Sequence, residues 1–211
     1  MATKKRILIS SGPTWIAIDK ARVISNIASG ETGFILARKF IKAGFQPTLL
    51  LGPGYFCPAS KKLKIIRFKY FHQLEALLKN ELKKGRYSAV IHAAAVSDYR
   101  PEKSIKAKIS SNKSGWKLNL VPTKKLIDGF RNIENLITVG FKFEPELSGK
   151  RLIGAGKKLL KNASLDLVVA NSSIRDKYCA YIIDDTNSGR PLLSKSKMAS
   201  RLVNLVKEKL K

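Results

Sequence analysis

The sequence predicts an α/β fold: a mainly parallel sheet layered between helices, with a small antiparallel extension and a mobile lysine flap. Three observations predict it. Apolar runs of strand length alternate with segments of helical period along the whole chain. The run Ser88–Ala95 is almost continuously apolar, as a strand buried on both faces requires. Polar, glycine-containing segments close the first two strand-like runs, where such folds place ligands.

Arg6–Ser10 reads as the first strand, closed by the turn Ser10-Ser11-Gly12-Pro13-Thr14. Thr32–Ala43 reads as a helix with apolar residues at Phe34, Ile35, Phe40 and Ile41. Gln46–Leu51 is the second strand, stopped by Gly52-Pro53-Gly54, and Lys64–Phe68 the third. Phe71–Lys84 has a helical apolar face in Leu74, Leu77, Leu78 and Leu82. After Ser88–Ala95 comes a loop, Pro101–Gly115, rich in Lys103, Lys106, Lys108 and Lys113 and short of apolar anchors. Trp116–Val121 alternates as an edge or antiparallel strand does. Helix 124–130, strand 136–143, helix 147–161, strand 165–170, a hairpin-like segment 178–184 and an amphipathic helix 195–210 complete the pattern.

A length of 211 residues with no visible linker points to one domain over residues 1–211. The apolar runs are too short to cross a bilayer, and the N-terminus lacks the apolar stretch of a secretory signal, so a cytoplasmic protein is expected. Cys57 and Cys179 form no metal or disulfide pattern, and His72 and His92 add no zinc site. The charge of +26, from 41 basic and 15 acidic residues, favours anionic partners. Its lysines are spread along the chain and only 8% of residues are aromatic, which argues against a dedicated nucleic-acid protein.

Four segments can carry chemistry. Ser10–Thr14 is a polar turn at a strand's carboxyl end. Ile24–Gly33 leads small residues into a helix start, where free amides and the helix dipole attract phosphate; a plain Ser/Gly cap is its simpler reading. Ala93–Arg100 ends a buried strand in tiny residues that leave room for a ring or ribose. Asp98 there suits a sugar hydroxyl or a magnesium ion. The lysine loop just downstream suits a cationic flap closing over phosphates.

Taken together, Gly12-Pro13-Thr14, Asp19, Arg22, Ile24-Ser25-Asn26, Ser29-Gly30 and Gly33, then Ala93–Arg100, then Lys108-Ile109, Val139-Gly140-Phe141 and Asp166 to Asn171 resemble the phosphopantothenoylcysteine synthetase family in order and spacing. The resemblance runs from about Arg6 to Val206. It implies a Rossmann-like three-layer αβα domain, usually dimeric. It also implies a ligase that couples 4′-phosphopantothenate to cysteine through an acyl-nucleotidylate, at the expense of CTP or ATP with Mg2+.

On this resemblance Asn26 is the catalytic asparagine and Lys108 the flap lysine, with Lys106 a second candidate. Nucleotide contacts fall to the backbone of His92, Ala93 and Ala94 and to Ser29, Gly30, Gly33, Asp98, Lys108, Thr123, Lys124, Lys125, Leu126, Phe141, Lys157 and Lys161, with Asp98 the metal candidate. Partners implied are the small substrates, a second copy as homodimer, and a separately encoded decarboxylase acting next in the pathway, with no membrane or nucleic acid. The chain departs from the family at Thr14-Trp15-Ile16-Ala17, Ala28, Glu31 and Thr123-Lys124-Lys125. A short-chain NAD(P) reductase is the alternative enzyme class, weakened by the lack of GxGxxG; a basic nucleic-acid binder is the other.

Overall fold

The computed structural model describes residues 4–54, 62–103, 107–110, 114–131 and 133–211. In chain order its elements begin with β1 (Arg6–Pro13), β2 (Trp15–Ala17), β3 (Val23–Ser25), α1 (Glu31–Lys42), β4 (Gln46–Leu51), β5 (Lys64–Arg67), α2 (Phe71–Lys83) and β6 (Ala89–Ala95). They continue with β7 (Tyr99–Pro101), β8 (Leu120–Pro122), a 3-10 turn (Leu126–Phe130), β9 (Ile137–Phe143), α3 (Gly149–Ala163), β10 (Leu167–Ile174), β11 (Lys177–Ile183) and α4 (Lys195–Lys209).

Seven strands form one sheet in the order β11-β10-β9-β6-β1-β4-β5. All its ladders are parallel except that of β10 with β11. Alternate side chains of the central strands feed two apolar layers, as a doubly covered sheet demands. Ile7 and Ile9 of β1 pack with Leu36 and Phe40 of α1 and with Met198 and Leu202 of α4. Leu8, one residue between them, packs on the opposite face with Leu74 and Leu78 of α2 and Phe130. On that face α3 adds Leu152 and Leu160 against Val168 and Ala170. Burying each such aliphatic side chain is worth about 1.5–3 kcal/mol. The three-layer αβα expectation is met.

Several boundaries differ from the sequence reading, and each difference has a local cause. The first strand does not stop at Ser10: the ladder to β6 continues through Ser11↔Ala93, Gly12↔Ala94 and Pro13↔Ala95. Ser10 and Ser11 tolerate full burial because both hydroxyls are bonded. In α1 the buried residues are Gly33, Leu36, Ala37 and Phe40, while Phe34, Ile35 and Ile41 pack at the rim. The strand expected over Trp116–Val121 shrinks to β8, because its partner β7 offers only three residues. The helix expected over Lys124–Phe130 is the 3-10 turn, and β2 pairs with β3 in a three-residue antiparallel ladder that the sequence reading did not contain. Among the described residues no helix is long and apolar enough to cross a membrane.

Candidate active site

β1 is flanked by β4 and β6, its connection through α1 leading to one side while α2 returns on the other face. Such a reversal opens a crevice at the carboxyl ends of the two middle strands. Here that places Ser11 to Thr14 beside Ala93 to Val96. The alanine run keeps this edge of β6 low, and Ala93, Ala94 and Ala95 are half-buried.

Asn26, immediately after β3, reaches this edge. Its Nδ2 donates to the carbonyls of Ala95 at 3.2 Å and Val96 at 3.0 Å. Two carbonyl acceptors fix which end of the amide is nitrogen and leave Oδ1 pointing away from them. The exposed Asn26 side chain is thus held without being buried.

A buried hydroxyl lattice ties the edge together. The Ser97 amide donates to Thr14 Oγ1 at 2.9 Å, the Ser97 hydroxyl donates to the Thr14 carbonyl at 3.1 Å, and Thr14 Oγ1 lies 3.2 Å from Ser97 Oγ. Thr123 donates its hydroxyl to the Ser97 carbonyl at 2.6 Å and its amide to the Asp98 carbonyl at 2.8 Å. Thr123 is therefore strapped beside the end of β6. The carboxylate of Asp98 pairs with Lys125, and Lys124 pairs with Glu75 at 2.9 Å. Among the described residues no group of three or more metal-ligating side chains occurs. Asp98 is a single, exposed carboxylate that already faces a cation.

The start of α1 is less open than the sequence suggests. Gly30 caps it with φ 80°, a left-handed conformation that favours glycine. The Glu31 amide is bonded to Ser29 Oγ at 3.3 Å and the Gly33 amide to Ser11 Oγ at 3.1 Å. Gly33 is a packing residue: a Cβ there would stand 2.3 Å from that of Ser11. Its amide does not face a ligand. Ser29 is exposed, while Gly30 is buried against Leu51 and Gly12.

The side chain of His92 is turned away from the crevice into the core. Its side chain is buried, Nδ1 is 2.7 Å from Ser10 Oγ and the ring stands edge-on to Phe130, 5.3 Å between centroids. Burial lowers its pKa to about 4, so the ring is neutral at pH 7. Only its backbone is available to a ligand. Phe141 sits near the carboxyl end of β9 on the α1 and α4 face. Lys161 is not brought to the crevice. α3 runs back antiparallel to the strands, and Lys161 lines a cavity of about 520 Å³ with Ser164, Asp166 and Asp184 at the sheet's opposite edge. An i, i+4 pair shares a helix face, but its distance from a site depends on how far along the helix it lies.

Lys108 is exposed on the described part of the flap; Lys106 lies outside the described residues. The residue after Lys108, Ile109, is only 8% exposed. Its amide donates to Asp19 Oδ2 at 3.0 Å and its carbonyl accepts from Arg22 Nη1 at 3.3 Å. The bond from Ile109 is the largest cause holding the Asp19 carboxyl down at about 2; the Ala21 and Arg22 amides and the Arg22 guanidinium add to it, while burial opposes them. Asp19 and Arg22 stood in the motif but received no role from sequence reasoning. The signal was an aspartate ahead of a turn, which bonds amides two and three residues on.

Comparison with known proteins bears on this geometry. Residues 2–210 match the model of the DNA/pantothenate metabolism flavoprotein C-terminal domain. The chain belongs to that family. It is 33% identical over 211 residues to the coenzyme A biosynthesis bifunctional protein CoaBC of Thermococcus kodakarensis, covering 98% of this chain and 52% of that protein. This family member thus spans about half the length of the curated relatives it matches. Its fold is that of the DNA/pantothenate metabolism flavoprotein from Streptococcus pneumoniae, with a TM-score of 0.86 at 23% identity over 97% of this chain and 99% of that one. It also matches a Cab2 variant solved with phosphopantothenate-cysteine, with a TM-score of 0.81 at 18% identity over 98% of this chain and 86% of that one.

Proposed function

We propose that this family member is a phosphopantothenate-cysteine ligase of coenzyme A synthesis, one domain over residues 1–211 acting in the cytoplasm. The observation that carries the reading is the Asn26 amide, fixed on the Ala95 and Val96 carbonyls at the carboxyl end of β6. That position is where a ligand lying along the alanine run would meet it. The family match and the CoaBC relatives support the same chemistry.

In the reaction a carboxylate oxygen of 4′-phosphopantothenate attacks the α-phosphorus of a nucleoside triphosphate and pyrophosphate leaves. The cysteine amine then attacks the acyl carbon, forms the amide, loses a proton and expels the nucleoside monophosphate. Asn26 has a preorganised role in the second step: its outward Oδ1 accepts a hydrogen bond from the incoming amine or the intermediate, at no cost of reorientation. Lys108 supplies positive charge toward the departing pyrophosphate, and Lys106 is the alternative donor. The backbone of Ala93 and Ala94 and the segment Thr123 to Leu126 hold the nucleotide, with Gly30 and Ser29 beside its phosphates. A magnesium ion bound to those phosphates offsets their charge and would be held on this chain by Asp98, displacing Lys125.

CTP is the favoured nucleotide, with ATP the alternative. We assign the partner role to a second copy of this chain: Val23, Ile27, Tyr99 and Leu120, around the two small ladders, are exposed apolar groups that a dimer would cover. A separately encoded decarboxylase would act on the product. The test is to incubate the protein with 4′-phosphopantothenate, cysteine, Mg2+ and either CTP or ATP and to measure pyrophosphate. Release dependent on both acid and nucleotide is expected; none with either nucleotide would refute the reading.

A further inference from the structure

The turn between β2 and β3 grips the flap. Asp19 is a carboxylate with no solvent-exposed side-chain surface in a strongly basic chain, and its two oxygens serve different ends. Oδ1 takes the amides of Ala21 at 2.7 Å and Arg22 at 2.8 Å, which closes the turn itself. Oδ2 takes Arg22 Nη1 at 2.5 Å and, 90 residues further along the chain, the amide of Ile109. The same Arg22 nitrogen donates to the Ile109 carbonyl. One ion pair therefore occupies both backbone groups of Ile109, and its partly exposed guanidinium also lies 5.9 Å from the centre of the Trp116 ring.

The other end of this hairpin carries Asn26. The ladder Trp15↔Ser25, Ile16↔Ile24 and Ala17↔Val23 runs from the gripping turn to the residue before Asn26. The hairpin thus links the two, with Ile109 bonded at one end and the asparagine at the other. A closed turn needs only Oδ1 and the two local amides. The bonds to Ile109 add nothing to the turn, which is why they call for another reason.

We propose that Asp19 is a positioning residue that sets where Lys108 stands relative to Asn26, acting through the backbone of Ile109. This rests on the ligase reading. Asp19 touches no substrate. Its charge polarises the Arg22 guanidinium and the Ile109 amide toward one point, and misplacing the adjoining Lys108 by an ångström weakens the charge that meets the leaving group.

The test compares Asp19→Asn, Lys108→Gln and the double variant in pyrophosphate release, with hydrogen exchange at the Ile109 amide measured alongside. Asp19→Asn is expected to slow pyrophosphate release by about tenfold to a hundredfold, with KM for cysteine unchanged. The double variant is expected to be no slower than Lys108→Gln alone, because the two act as one unit. The Ile109 amide should exchange faster in Asp19→Asn, while the amides of Ile7, Leu8 and Ile9 keep their protection. Ile109→Pro removes the same donor without touching Asp19 and should reproduce the slowing. Multiplying defects in the double variant, or full turnover in Asp19→Asn, would overturn the proposal. If the unaltered protein releases no pyrophosphate, it is the ligase reading that fails, and this proposal falls with it.

Discussion

Acidifying the medium should destabilise this fold through His92. The ring lies in the second core layer against Phe130, bonded to Ser10 Oγ, and burial alone is the cause that lowers its pKa from 6.5 to about 4. Below pH 6.5 the unfolded chain takes up a proton that the folded chain refuses until about pH 4. Stability from this residue is therefore complete above pH 6.5 and is lost progressively between those two values. At about 1.4 kcal/mol per pH unit, the gap amounts to about 3 kcal/mol. The comparison is His92→Gln, which keeps a partner for the Ser10 hydroxyl but does not titrate. Urea unfolding of both proteins across this range should show the unaltered chain losing about 3 kcal/mol more than the variant on acidification. Parallel profiles would refute the reasoning, because they would mean that the buried ring is protonated in the folded state.

Other outcomes follow from the same geometry. Asn26→Asp places a carboxylate oxygen against the carbonyls of Ala95 and Val96 and should lower turnover about a hundredfold, with acyl-nucleotidylate accumulating in acid-quenched mixtures. Unchanged turnover would remove Asn26 from the chemistry. Gly33→Ala drives a methyl into Ser11 and should cost about 1–3 kcal/mol, read as a drop of several degrees in Tm; an unaltered Tm would show that β1 and α1 can separate freely. Replacing Ile27, a fully exposed apolar residue, with aspartate should raise the dimer's dissociation constant in sedimentation equilibrium; a protein that is monomeric before the change contradicts the covered-face reading.

The central strands and long helices were legible because their patterns answer to one force. Val90 and Ile91 face opposite layers, so both had to be apolar, and Leu74 with Leu78 repeats at one helical turn. The carboxyl ends of the strands were harder, because hydrogen bonding replaces apolar burial there. Ser10 and Ser11 look like a turn until His92 and the amide of Gly33 are seen to satisfy them. The short ladders of β2 with β3 and β7 with β8 carry no period long enough to read. In the site, the Asp98 segment was legible from local sequence, whereas Asn26 was marked only by the family resemblance. The Asp19 bond to Ile109 was not, since nothing in either stretch names a partner 90 residues away.

The β2–β3 hairpin has only three residues on each side, which is too little to stand alone in water. Its order is borrowed from contacts at its ends, at Ala95, Val96 and Ile109. Such a unit should detach at a lower free energy than the seven-stranded sheet beneath it. Mild heating or low urea would then silence the protein while its circular dichroism still reports an intact sheet, and cooling would restore it. Inactivation of this chain should therefore precede unfolding as a separate transition.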